Sequence, residues 1–348
     1  MGVGPHESVK QKVLSMQILK KPNYNFIKWR WHAIALSAVV ILAGIGVMIA
    51  RGGLQMGVDF SGGTIVVVKF MQPVPEDVVR NAIAGMPGDK VVQQFGEPAD
   101  NAVMIRLPQA QQAEQGTSLE EGANRVIKAL QDAKVPKFEV LSQEIVGPVI
   151  GRELQLKGIY ATVSSIVAIT LYIGFRFRPS FAIGAIVATF HDIFVTLAFL
   201  AFFGYELSLN IVAAILTITG YSVNDTIVIF DRVRENLRTM RRDSLEQVVN
   251  TAVNQTLSRT IITAGTTFLA VFALYVFGGE VLHGFAFTML VGIVSGTYST
   301  IFIAAAIAIM LSHRKAAARA TTVQTPDAAT PPTPTSRSRS KARNARAS

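Results

Sequence analysis

One carboxylate is placed where carboxylates rarely sit. Asp225 lies in Tyr221-Ser222-Val223-Asn224-Asp225-Thr226-Ile227-Val228-Ile229-Phe230, a stretch that otherwise reads as a membrane-spanning helix. An ionisable group in hydrocarbon is costly unless paired or hydrated, so it marks a functional site by default. Arg259 stands at the mouth of the next apolar segment, available as a partner. Asp225 precedes Phe230 by five residues, which puts its backbone roughly 7–8 Å inside that end of the helix. Ser222, at i−3, shares its face, and Asn224 adjoins it. Burial favours the protonated carboxyl and a nearby guanidinium the ionised one. Small movements of Arg259 could therefore switch Asp225 between the two states, which is what a proton relay requires. The alternative is a static ion pair that packs two helices together.

His191-Asp192 forms a second polar island within an apolar segment. Sequence neighbours are not expected to share one helix face. That disfavours a metal site made by these two alone and leaves two readings, a buried polar pair bonding to other helices or a part of the same proton path. Asp231, Arg232, Arg234 and Glu235 read as solvated charges at a helix exit, and Gly292 with Gly296 as a G-x-x-x-G that permits close helix approach. Gly57-Val58-Asp59-Phe60-Ser61-Gly62-Gly63-Thr64 is Gly-rich, but no G-K-[ST] follows, so it is read as a tight turn rather than a phosphate cradle. No Ser/His/Asp triad, H-E-x-x-H or Walker motif occurs, so nothing supports an enzyme, a cofactor or a bound metal.

The elements that must position these residues are membrane helices. Half of the 348 residues are apolar and only 16% are charged, which excludes an ordinary soluble domain. The absence of cysteine excludes disulfides and thiolate chemistry. The net charge of +10 comes from short basic runs beside apolar segments, with no basic-aromatic motif, so it encodes topology and not nucleic-acid binding. Six spans are expected, at 33–50, 156–175, 181–203, 209–230, 260–277 and 285–311. The first follows six Lys and Arg residues but is long for a signal core and lacks an A-x-A site, so a retained helix is expected. Lys and Arg gather before the first span, between the second and third, around the fourth-to-fifth loop and after the sixth, whereas Gly204-Tyr205-Glu206 and Gly278-Gly279-Glu280 carry only acid. Both termini are therefore placed in the cytoplasm, with residues 1–32 as a cytoplasmic segment.

Residues 51–155 then lie outside, with 10 Lys+Arg against 13 Asp+Glu, a net of −3. They read as strand 64–70, helix 75–85, strands 90–95 and 103–107, helix 118–133 with Ser118 and Glu121 in capping-box spacing, and strand 138–145. That βαββαβ order is the ferredoxin-like pattern of an α+β domain. Residues 244–257 keep an apolar stripe after a Ser244/Gln247 capping box and read as a short amphipathic helix on the cytoplasmic surface. Residues 312–348 are rich in Ala, Thr, Pro, Ser and basic residues and read as a disordered basic cytoplasmic tail.

These residues carry a resemblance. Gly57, Asp59, Phe60, Gly62, Gly63 and Thr64 match the G-x-D-F-[ST]-G-G-T signature of the SecD/SecF family. His191-Asp192, Gly220 to Val228 with Asp231-Arg232-Val233-Arg234-Glu235-Asn236, and Arg259-Thr260 with Thr263 to Thr267 resemble its SecF branch, as does the single small external domain. The resemblance runs from about Tyr24 to Leu311. It implies half of a resistance-nodulation-division fold in the inner membrane, completed by SecD as a hetero-partner and associated with the SecYEG channel. It implies use of the proton-motive force to pull preprotein across after the SecA ATPase has acted, with YajC and YidC as further candidate members of the assembly. The family's proton path falls on Asp225 and Arg259, with His191 and Asp192 matching a recurrent pair. The coupling ion is expected to be H⁺, with Na⁺ as the alternative, since an Asp beside Ser222 and Asn224 suits either. Two other functions are weighed: a proton-driven exporter of lipids or small molecules on the same superfamily fold, and a purely structural translocase subunit.

Overall fold

The structure is a computed structural model that describes residues 22–86, 90–96, 98–108 and 119–313. Most of the amino-terminal segment, Ser118 of the expected capping box and all of the basic tail from residue 314 lie outside the described residues. Six helices are long and apolar enough to cross a membrane. In chain order they are α1 (Arg30–Ala50), α5 (Pro148–Arg176), α6 (Pro179–Phe203), α7 (Leu209–Thr239), α8 (Leu245–Phe277) and α9 (Gly279–Ser299). The last continues through a π-helical turn, Thr300–Ala304.

Between α1 and α5 lie α2 (Val58–Ser61), β1 (Gly63–Phe70), α3 (Glu76–Ala82), β2 (Val91–Phe95), β3 (Ala102–Pro108), α4 (Leu119–Asp132) and β4 (Phe138–Val146). The sheet runs β2-β3-β1-β4, and every neighbouring pair is antiparallel. A βαββαβ chain gives this order when each crossover skips one strand. Val66, Val68 and Phe70 alternate on one face of β1 and are buried with Val79 and Ile83, close to α3, and with Val126 and Leu130 of α4. That period-2 stripe against two helices makes a small core separate from the bundle.

Three boundaries differ from the sequence-based expectation. Helix α5 starts at Pro148, not 156, because its first turns carry Arg152, Glu153, Gln155 and Lys157, which hide a continuous helix from a hydropathy reading. Residues 244–257 are not a separate surface helix: the Ser244/Gln247 capping box forms, and one helix then runs unbroken to Phe277. No proline interrupts that stretch, and a charge such as Arg259 does not end a helix. The Gly57–Thr64 turn is wound into the short α2, with Gly62 and Gly63 at φ of 68° and 134° leading into β1.

The bundle is built around α6, α7 and α9, whose apolar windows are 50%, 50% and 67% buried, against 6% for α5 and 11% for α8. Small residues permit this. A Cβ on Gly296 would lie 2.9 Å from that of Ser222, one on Gly292 would collide with Ile218, and one on Gly184 would lie 2.6 Å from the Ala304 carbonyl. The expected G-x-x-x-G pair therefore sits where α9 touches α7. Gly292→Leu should lower the thermal unfolding midpoint of the full chain in detergent by an amount corresponding to ~1–3 kcal/mol of overpacking. An unchanged midpoint would contradict the close approach.

Candidate functional site: two carboxylates in the bundle

Asp192 of α6 is 1% exposed, and its carboxylate collects donors from two other helices. It accepts from Ser222 Oγ of α7 at 2.5 Å and from Ser295 and Ser299 Oγ of α9 at 2.8 Å each. His191 Nδ1 lies 3.1 Å from Oδ1 of the same group. The neighbours expected to point apart thus meet, because the imidazole folds along the helix toward the carboxylate. His191 Nε2 is 2.8 Å from Ser37 Oγ of α1; Ser37 donates to Tyr298 Oη at 3.2 Å, and Tyr298 donates to the Ala33 carbonyl at 2.6 Å. Which ring nitrogen carries the hydrogen sets the direction of the two His191 bonds.

Asp225 is the opposite case. It is 5% exposed, and Oδ2 is buried with no hydrogen-bond partner among the described residues. Arg259, on α8, is exposed and makes no ion pair with it. The static ion pair weighed from the sequence is therefore not formed within this chain. Ser222 is one turn from Asp225 and ties α7 to the Asp192 cluster, while Asn224 is exposed on another face of α7. Thr226 and Thr300 share a hydrogen bond at 3.0 Å, joining α7 to the π turn of α9. The Thr260 hydroxyl, next to Arg259, is also buried without a partner.

The Gly57–Thr64 turn connects the sheet domain to the same helix. Asp59 accepts from the Leu209 N–H at 2.9 Å, and Ser208 from that of Ile211 at 3.3 Å, so two open donors at the start of α7 are filled. Gly57 N–H donates to the Leu207 carbonyl and Leu207 N–H to that of Gln55. Phe60 is buried and faces Gly158, and a Cβ on Gly151 would lie 3.2 Å from the Gly62 nitrogen, so α5 packs directly on the turn. Thr64 is fully buried at the start of β1. Arg106 of β3 pairs with Glu206 in the α6–α7 loop and donates to the Met56 carbonyl at 2.7 Å.

Residues 125–314 match the family description "Protein export membrane protein SecD/SecF, C-terminal", more than half of the sequence. The chain belongs to the SecD/SecF family. A second SecD/SecF feature, the GG motif, matches residues 47–74 and covers the turn that caps α7. Relatives named "Protein translocase subunit SecF" include those of Escherichia coli O157:H7, 38% identical over 84% of this chain and 89% of that protein, and of Vibrio alginolyticus, 41% identical over 86% and 93%. The crystal structure of SecDF, a translocon-associated membrane protein from Thermus thermophilus, superposes with a TM-score of 0.75 at 33% identity, over 84% of this chain and 39% of that one. This SecD/SecF chain thus spans about two fifths of the SecDF polypeptide it matches.

Sequence reasoning found Asp225, Ser222 and the His191-Asp192 pair but not Ser37, Ser295, Ser299 or Tyr298. The available signal was Ser295 and Ser299 at i, i+4 in an apolar helix, one face of polar groups needing a partner. Asp192→Ala strands at least three buried donors and should cost ~3–5 kcal/mol of stability in thermal unfolding. Asp225→Asn, at a site with no partner to lose, should stay within ~1 kcal/mol of wild type. Equal losses would erase the distinction between the two groups.

Proposed function

We propose that this chain is the SecF-type subunit of a protein-export machine in the inner membrane. Paired with SecD, it uses the proton-motive force to complete preprotein passage through SecYEG after SecA has acted. The observation that carries this reading is the buried, unpartnered Asp225 carboxylate on a helix whose other end is capped by the sheet domain. Both termini and the Arg-rich helix ends face the cytoplasm, and the sheet domain lies outside. Protonation of Asp225, gated by Arg259, changes the packing of α7 against SecD. The sheet domains then move, so that the emerging chain cannot slide back. One charge crossing ~100 mV is worth about 2.3 kcal/mol, adequate for such a step.

A hetero-partner is supported by the uncovered faces. Asn224 of α7 and Arg259 of α8 are exposed within spans. Polar groups at that depth are costly against lipid and belong against protein or a water-filled path. The structural-subunit alternative has less support, since Asp225 and Arg259 do not pair.

The test uses vesicles that hold the chain, SecD and the channel, with a preprotein arrested halfway and ATP removed. Imposing a proton gradient should complete transport with wild type and not with Asp225→Asn. Equal completion in both would overturn the reading. In the same assay Asp59→Ala should slow completion while Asp59→Asn, which can still accept from the Leu209 N–H, should retain most of it. Replacing the proton gradient by a sodium gradient decides the coupling ion.

A further inference from the structure

A cavity of about 460 Å³ opens at the Arg-rich end of the bundle, where α5 gives way to α6 beside the last turns of α7. Its polar wall is Arg178, Arg234 and Arg238, and its apolar wall includes Phe177, Phe230 and Leu237. Arg234 and Arg238 are one turn apart on α7, so both guanidinium groups reach the same mouth. A fourth arginine, Arg176, is already taken: it donates to Asp231 at 2.6 Å and lies over the Phe177 ring. Arg178, Arg234 and Arg238 have no acid within ion-pair distance among the described residues. Three exposed cations held together without counter-charge call for an anion from outside the chain.

The apolar wall narrows what that anion is. A free phosphate or a nucleotide phosphate has no use for a phenylalanine- and leucine-lined half, whereas a phospholipid carries its phosphate and its acyl chains together. The depth agrees, because the cavity lies where the span Val149–Arg176 ends and the span Pro179–Phe203 begins, at the level of headgroups. Basic pockets between membrane helices on this side recognise anionic headgroups. We propose that the cavity is a binding site for one anionic phospholipid, its phosphate held by Arg178, Arg234 and Arg238 and its upper acyl chain laid against Phe177, Phe230 and Leu237. Such a lipid would bridge the α5–α6 turn to the extension of α7. The inference rests on the membrane spans and does not depend on the proton-coupling proposal.

Native mass spectrometry of the full chain, purified with the subunits that accompany it, reads lipid retention directly. The probes are dioleoyl phosphatidylglycerol, cardiolipin and dioleoyl phosphatidylethanolamine, with glycerol 3-phosphate as a competitor lacking acyl chains. Wild type should retain phosphatidylglycerol or cardiolipin at least tenfold better than phosphatidylethanolamine. Arg234→Gln/Arg238→Gln should lower that affinity about 25-fold, at roughly fivefold per cation near an anionic headgroup. Arg241→Gln/Arg242→Gln removes the same charge outside the cavity and should change it less than twofold. Leu237→Trp keeps every charge but fills the apolar wall, and it should weaken retention as well.

Equal losses in the two arginine pairs would overturn the proposal in favour of diffuse surface attraction. Competition by glycerol 3-phosphate as strong as that by lipid would overturn it in favour of a soluble phosphate. No preference for anionic over zwitterionic lipid would overturn it too, and would leave the cavity to an acidic segment of a partner protein.

Discussion

The bundle depends on how a single buried carboxylate is satisfied. No water reaches the hydrocarbon core to solvate Asp192, so its acceptor sites must be filled from neighbouring helices. Ser222, Ser295 and Ser299 do this with short bonds, and His191 adds a fourth contact. Hydroxyl donors reach only about 3 Å, so α6, α7 and α9 have to approach to backbone distance at this level. Glycines make the approach possible, and the sequence puts Gly296 directly against Ser222. Apolar packing between membrane helices has no strong directional preference, since lipid tails are as apolar as leucine. The hydrogen bonds are what fix the register of the three helices.

The two acids differ in what their surroundings permit. Asp192 has every acceptor position engaged, so altering it disturbs three helices at once. Asp225 is one turn along α7 and has a buried oxygen with no partner. The fold thus separates a carboxylate on α6 that ties three helices together, through Ser222 among others, from one on α7 that lies a turn beyond Ser222. The π turn at Thr300–Ala304 falls at the same level, next to Ser299, where a local irregularity lets α9 present both Ser299 and Thr300 inward.

Much of this arrangement was legible in the sequence. The six apolar runs, the β-branched stripe of β1 and the polar interruptions at 191–192 and 225 are local patterns, and local patterns survive folding. Strand limits lie within a residue or so of their expected positions, because turn residues such as those around Asn101 set them. What was not legible depends on other helices. Ser295 is an unremarked small residue until α9 is laid against α6, and Ser37 acquires meaning only from the ring of His191, 154 positions away. Charge in the first turns of α5 imitates a loop, and Arg259 within α8 resembles a membrane boundary, yet neither gives the backbone a reason to stop.

The remaining step concerns how the two ends of α7 communicate. Leu209, held by Asp59, and Asp225 are 16 residues apart on one helix, about 24 Å at the usual rise. Ser222 lies between them and is tied to Asp192 at 2.5 Å. A helix pinned there cannot slide far along its axis without losing that bond, but it can tilt about it. On the proposed function, a change of charge at Asp225 acts on the short arm of this lever and the capped turn lies at the end of the long one, so a small displacement near Arg259 becomes a larger one at Leu209. The turn is not a loose tether: Gly57 N–H donates to the Leu207 carbonyl and Leu207 N–H to that of Gln55, Arg106 grips Glu206 and Met56, and Phe60 abuts α5. Motion of the α7 end must therefore carry β1, and with it the sheet, rather than dissipate in a linker. The GG signature then has a mechanical reason: Gly62 and Gly63 take positive φ values that turn the chain from a helix cap straight into a strand, with no slack between them.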